Sequence, residues 1–84
     1  MLKIYGSMLC KDCVECKEQL TASNVDFEFH DFAEELRALK EFLALRDSDG
    51  IFAPVKEAGK IGIPCIVCED GRVTLDWNEF LTKD

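Results

Sequence analysis

Apolar and polar residues alternate along Leu2-Lys3-Ile4-Tyr5, a pattern with the period of a strand. Phe27-Glu28-Phe29-His30 alternates in the same way and is aromatic, which predicts a second strand. Between them Cys13, Cys16 (or Val14) and Leu20 recur at helical spacing. They predict a helix from about Asp12 to Ala22, ended by Ser23-Asn24. Leu36, Leu39, Phe42 and Leu43 form the apolar stripe of a second helix, from about Phe32 to Arg46. Asp31, with Glu34 following at capping-box spacing, opens that helix, and Asp47-Ser48-Asp49-Gly50 stops it.

Ile51 to Gly59 reads as a connector beneath the active-site face, with Pro54 opening one short helical turn through Ala58. Ile61 to Cys68 is a near-continuous apolar run, as in a strand buried on both faces. Glu69-Asp70-Gly71 is a hairpin signal, and Arg72-Val73-Thr74-Leu75 gives a short fourth strand. Asp76 with Glu79 is a second capping box, before a final helix whose inner face is Trp77, Phe80 and Leu81. The order is βαβαββα. Parallel crossovers are right-handed almost without exception. The expected fold is therefore α/β, one four-stranded mixed sheet with helices on both faces.

The chain has 84 residues, which predicts a single domain over 1–84. An apolar fraction of 48% suits a globular core. No apolar run reaches the roughly 18 residues of a membrane span. The N-terminal stretch lacks the apolar region of a signal peptide, so the expected compartment is the cytoplasm. The net charge of −7 opposes nucleic-acid phosphates and anionic membrane surfaces. Five cysteines are an odd number, which argues against a closed disulfide framework and for reactive thiols or a metal.

Cys10-Lys11-Asp12-Cys13 falls between the first strand and the first helix. A Cys-x-x-Cys at such a turn is the sequence form of a dithiol redox site. The unpaired N–H groups and positive dipole end of a helix start favour an anion. A thiolate is the nucleophile of disulfide exchange. Cys13 lies one turn deeper on the same side, where it can attack a mixed disulfide on Cys10. The same spacing also serves as half a zinc site. Cys10, Cys13 and Cys16 with Cys65 form a sulfur-rich set of the kind that holds zinc, copper(I) or an iron–sulfur cluster. A regular helix, however, carries Cys16 away from Cys10. Cys65 follows Pro64 and is expected near the Cys10 face; Cys16 and Cys68 are expected in the core. His30, at the end of the second strand, has no catalytic assignment.

The Cys-x-x-Cys after the first strand, Gly62-Ile63-Pro64 before the third, and the closing hairpin and helix together resemble the glutaredoxin family of the thioredoxin fold. The resemblance covers the whole chain. Tyr5-Gly6-Ser7-Met8-Leu9-Cys10-Lys11-Asp12-Cys13 is similar to that family's first strand and active-site loop, and Gly62-Ile63-Pro64 to its Thr-Val-Pro. The resemblance implies a disulfide reductase in which Cys10 attacks and Cys13 resolves. It implies a cis Pro64 facing Cys10 and an Ile63 backbone that binds the substrate like an added strand. Lys11, Asp76 and Trp77 complete the implied substrate-binding set. No metal or organic cofactor is implied beyond glutathione as reductant. The implied partners are glutathione or a protein disulfide, with a reductase, and the implied state is a monomer. The chain departs from the family at several places. Lys11-Asp12 replaces Pro-Tyr, and Ser7 stands where a basic residue is frequent. Leu75-Asp76-Trp77-Asn78 replaces the Gly-Gly-x-Asp that grips the glutathione carboxylate, and Asp76 has the wrong charge for that task.

Overall fold

A computed structural model describes residues 1–81. Its elements are β1 (Leu2–Gly6), α1 (Lys11–Ala22), β2 (Phe27–Asp31), α2 (Leu36–Ser48), α3 (Ala53–Glu57), β3 (Cys65–Val67) and β4 (Val73–Thr74). Short 3-10 helices cover Gly50–Phe52 and Trp77–Phe80. The protein is α/β, with four strands in the order β2-β1-β3-β4. β1 pairs parallel with β2 through the α1 crossover and antiparallel with β3. Strand β1 is central, so both its faces are covered, and Ile4, Tyr5 and Gly6 are buried in succession.

The register sorts the core into two layers. Tyr5 stands opposite Cys65 and Ile4 opposite Ile66, and opposed residues share a face. Tyr5 and Cys65 pack with Ala38, Phe42 and Phe52 beneath α2. Ile4 and Ile66 pack with Cys16 and Leu20 beneath α1. The Phe42 ring meets Phe52 edge-on at 5.9 Å and Phe32 at 5.3 Å. Each fully buried Phe, Leu or Ile contributes about 1.5–3 kcal/mol of transfer free energy, so the helices are held to both faces mainly by these side chains.

Four expectations change. First, α2 begins at Leu36 rather than Phe32. Asp31 is the last residue of β2, and its carboxylate accepts from the Ala33 N–H at 2.9 Å and the Met8 N–H at 3.3 Å. It therefore caps a turn rather than a helix. The later start changes the inner stripe, which is Ala38 and Phe42 with Leu45, while Leu36 and Leu43 are exposed. Second, the Ile61–Cys68 run is strand only over Cys65–Val67. Gly62 turns the chain at φ +94°. The carbonyls of Lys60 and Ile61 accept from Arg46 at 2.9 and 2.8 Å instead of joining the ladder.

Third, Cys68 lies outside β3 and is half-buried, not core. Its N–H donates to the Arg72 carbonyl at 2.8 Å in the hairpin turn. Fourth, the closing helix is, over the described residues, one 3-10 turn. Asp76 caps it, accepting from the Asn78 N–H at 3.0 Å. Glu79 does not complete the box, because it accepts from Arg72 Nη2 at 2.6 Å and the Thr74 hydroxyl at 3.3 Å. Trp77 and Phe80 pack on the α1 side, and Trp77 Nε1 donates to Gln19 Oε1 at 3.2 Å. Among the described residues no helix is long and apolar enough to cross a membrane.

Candidate functional site

Strand β1 ends at Gly6, and the next residues turn sharply into α1. The Ser7 hydroxyl accepts from the Leu9 N–H at 3.1 Å, and the Ser7 carbonyl from the Cys10 N–H at 3.0 Å. These bonds fix the loop and leave Cys10 as the N-cap of α1 with extended backbone. No side chain caps this end of the helix. Cys10 is partly exposed, whereas Cys13 is fully buried. Burial pushes the Cys13 thiol up to about 12, against the opposing pull of the Ser7 backbone N–H. The neighbouring Cys10 thiol adds to the rise.

Cys13 owes its seat to Gly6. A methyl group added at Gly6 would lie 2.7 Å from Cys13 Sγ and 3.4 Å from the Phe29 ring. The sequence reading assigned Gly6 no role. Its only signal was position, a glycine ending a strand next to a reactive loop, where close approach is common.

Beside Cys10 opens a groove of about 760 Å³. Its walls include Leu9, Phe32, Val55, Ile61, Leu75 and Trp77. Ile63 and Pro64 line it too, and the Ile63–Pro64 bond is cis, the isomer the resemblance implies. The ladder between β1 and β3 stops at Tyr5–Cys65, so Ile63 lies beyond it. Arg46 clamps the outer wall through the two carbonyls already described. Gly62 allows the inner turn: a methyl group there would come within 2.8 Å of the Phe52 ring. Phe52, in the segment expected to be a connector, is thus a buried support of the groove.

The structure brings Cys10, Ile63, Pro64 and Trp77 to one groove, joined by Asp12. Lys11 faces elsewhere, lining a shallow depression with Val14, Glu15, Glu18 and Gln19. Asp76 is exposed and spends its carboxylate on the Asn78 N–H. Cys65 does not line the groove beside Cys10. It follows Pro64, but its side chain enters the α2 layer beside Phe42 and Phe52, across the sheet from Cys16. Burial pushes the Cys16 and Cys65 thiols up to about 12. The sheet therefore divides the proposed sulfur set. Among the described residues no three acidic, histidine or cysteine side chains are grouped to hold a metal ion. His30 sits inside β2 and stacks on Tyr5 at 5.5 Å.

Fold and site thus define a small α/β protein with a dithiol at a helix start, beside an apolar groove. It belongs to the same family as a Haemophilus influenzae protein named "Uncharacterized protein", being 34% identical to it over 77 residues, 92% of this chain and 90% of that one. No family model matches the chain, and no solved structure does.

Proposed function

We propose that this chain is a small thiol–disulfide oxidoreductase of the glutaredoxin-like, thioredoxin-fold type, working through Cys10 and Cys13. One observation carries the reading: a partly exposed Cys10 at the start of α1 with a fully buried Cys13 one turn further along the same helix. Dithiol exchange is served by one thiol that a substrate can reach and a second close by that resolves the mixed disulfide.

The Cys10 thiolate attacks one sulfur of a substrate disulfide. A Cys10–substrate disulfide forms, the substrate S–S bond breaks, and the second sulfur leaves as a thiolate that takes a proton. Cys13, having lost its proton, then attacks Cys10 Sγ. The Cys10–Cys13 bond forms and the first substrate sulfur leaves as a thiol. Two electrons have passed from the dithiol to the substrate. Two equivalents of a thiol, glutathione or a reductase dithiol, restore Cys10 and Cys13 and become a disulfide in turn. A neutral Cys13 at rest suits this order, because it withholds its thiolate until Cys10 is engaged. The expected setting is the cytoplasm, with no metal or organic cofactor.

Trapping tests the reading. Reduced Cys13→Ser protein, mixed with a peptide disulfide, accumulates one peptide adduct mapped by mass to Cys10. Cys10→Ser protein accumulates none, and the wild type passes through the adduct to a closed disulfide. Adducts that form equally well without Cys10 would sink the proposal.

A further inference from the structure

Resting on that exchange reading, we propose that the substrate is a protein disulfide whose cysteine is flanked by apolar residues with a cation beyond them. It lies as an extended segment across the groove, and glutathione disulfide is not the preferred substrate.

The groove beside Cys10 is lined mostly by apolar residues. Leu9, immediately before Cys10, is 91% exposed, and Ile61, which also lines the groove, is 55% exposed. Large aliphatic side chains held open to water in the groove of a reactive sulfur lose that hydration when an apolar partner covers them. A tripeptide with two carboxylates offers little for such walls. A protein segment with apolar neighbours of its cysteine covers them. The extended conformation is the one the family resemblance implies at Ile63, and the strand edge is compatible with it. The β1–β3 ladder ends at Tyr5–Cys65, and Ile63 continues the line beyond it toward Cys10, where a segment can pair with its backbone.

The charges point the same way. Asp12 lines the groove, Asp31 holds the loop through the Met8 N–H, and Asp76 stands between the lining residues Leu75 and Trp77. Lys60 is the one cation among the lining residues, and Lys11 opens onto the other depression. At the turn Trp77–Phe80 Asp76 already takes the Asn78 N–H, which an incoming carboxylate would have to compete for. The whole chain carries −7. Of these carboxylates only Asp12 lines the groove, and Lys60 offsets it there; it is the net charge of the chain that favours a cation beyond the apolar neighbours and opposes the two carboxylates of glutathione.

Single-turnover rate constants of fully reduced full-length protein test the inference against three disulfides. One is a peptide with Leu beside its cysteine and Lys beyond. One is the matched peptide with Ser and Glu. The third is glutathione disulfide. The Leu/Lys peptide reacts about tenfold or more faster than the Ser/Glu peptide, as expected for apolar groups entering an apolar site, and glutathione disulfide is no faster than the latter. Leu9→Ser with Ile61→Ser removes about tenfold from the Leu/Lys rate. Leu36→Ser, on an exposed side chain outside the groove, leaves it unchanged. Equal rates for the two peptides, or glutathione disulfide as the fastest substrate, would overturn the inference. A protein that reduces none of the three, or reduces them equally as Cys10→Ser, would overturn the exchange reading and this inference together.

Discussion

The sulfur of Cys13 fills the space that a side chain at Gly6 would need, with 2.7 Å between Sγ and a methyl group built there. Strand and helix therefore meet at the dithiol with no atoms to spare. Gly6→Ala must move the sulfur, the strand or α1. We expect a loss of about 1–3 kcal/mol, the usual range for overpacking a close contact. Gly50→Ala, with nothing within 4 Å, should change stability by no more than about 0.5 kcal/mol. Urea unfolding of reduced protein measures both. In Gly6→Ala the peptide adduct on Cys10 should also persist longer than in the wild type, since its resolving sulfur is displaced. Equal stability of Gly6→Ala and wild type would show that the contact yields freely.

Gly62 carries two constraints that separate substitutions can resolve. Its φ is +94°, and an added methyl group would lie 2.8 Å from Phe52 Cδ1. Gly59 also has positive φ, +72°, but open space around it. Gly59→Ala should show backbone strain alone, about 1–3 kcal/mol. Gly62→Ala should add a packing cost of about 1–3 kcal/mol and slow the reaction with a peptide disulfide, because the groove wall shifts. Equal losses at the two positions in chemical denaturation would remove Phe52 from the account.

Stability should fall at alkaline pH in a way traceable to single thiols. Burial holds Cys13, Cys16 and Cys65 up to about 12, against an ordinary value of 9.0. Below pH 9 native and unfolded chains both keep these protons, and their contribution is complete. Between 9 and 12 the unfolded chain releases protons that the native chain retains, so unfolding becomes easier as pH rises. Each thiol contributes a slope of up to about 1.4 kcal/mol per pH unit. Cys16→Ala should give a shallower fall than the wild type across that window. Urea midpoints from pH 7.5 to 10.5, under reducing conditions, are the check. Parallel curves would mean that Cys16 does not keep its proton.

The first half of the fold was legible because each element there carries its own pattern. Alternation marks β1 and β2, and Cys13, Cys16 and Leu20 mark the buried side of α1. The dithiol was legible because its spacing and its place at a helix start are both local. What failed was long-range. The run from Ile61 to Cys68 is apolar for two unrelated reasons, a groove wall up to Pro64 and a buried strand from Cys65. Hydrophobicity does not distinguish them. Asp31 and Glu34 matched a capping box, yet the Asp31 carboxylate was claimed by the Met8 N–H, 23 positions back. Glu79 was likewise drawn from its cap by Arg72. Cys65 was placed by its neighbour Pro64, whereas its side chain follows the register of the sheet. Lys11 and Leu9 flank the same cysteine, and only the turn geometry decides which one borders the groove.

The central claim is a reversible Cys10–Cys13 couple, and a redox titration with mass mapping tests it most directly. Freshly purified protein is equilibrated in buffers of graded thiol–disulfide ratio, alkylated after unfolding and digested. The account predicts one two-electron transition, about 30 mV for each tenfold change in the ratio of oxidised to reduced protein. It predicts the disulfide on Cys10 and Cys13 alone, with Cys16, Cys65 and Cys68 free at every point. A transition that maps to another pair, or cysteines that resist alkylation until a chelator is added and show no transition, would contradict it.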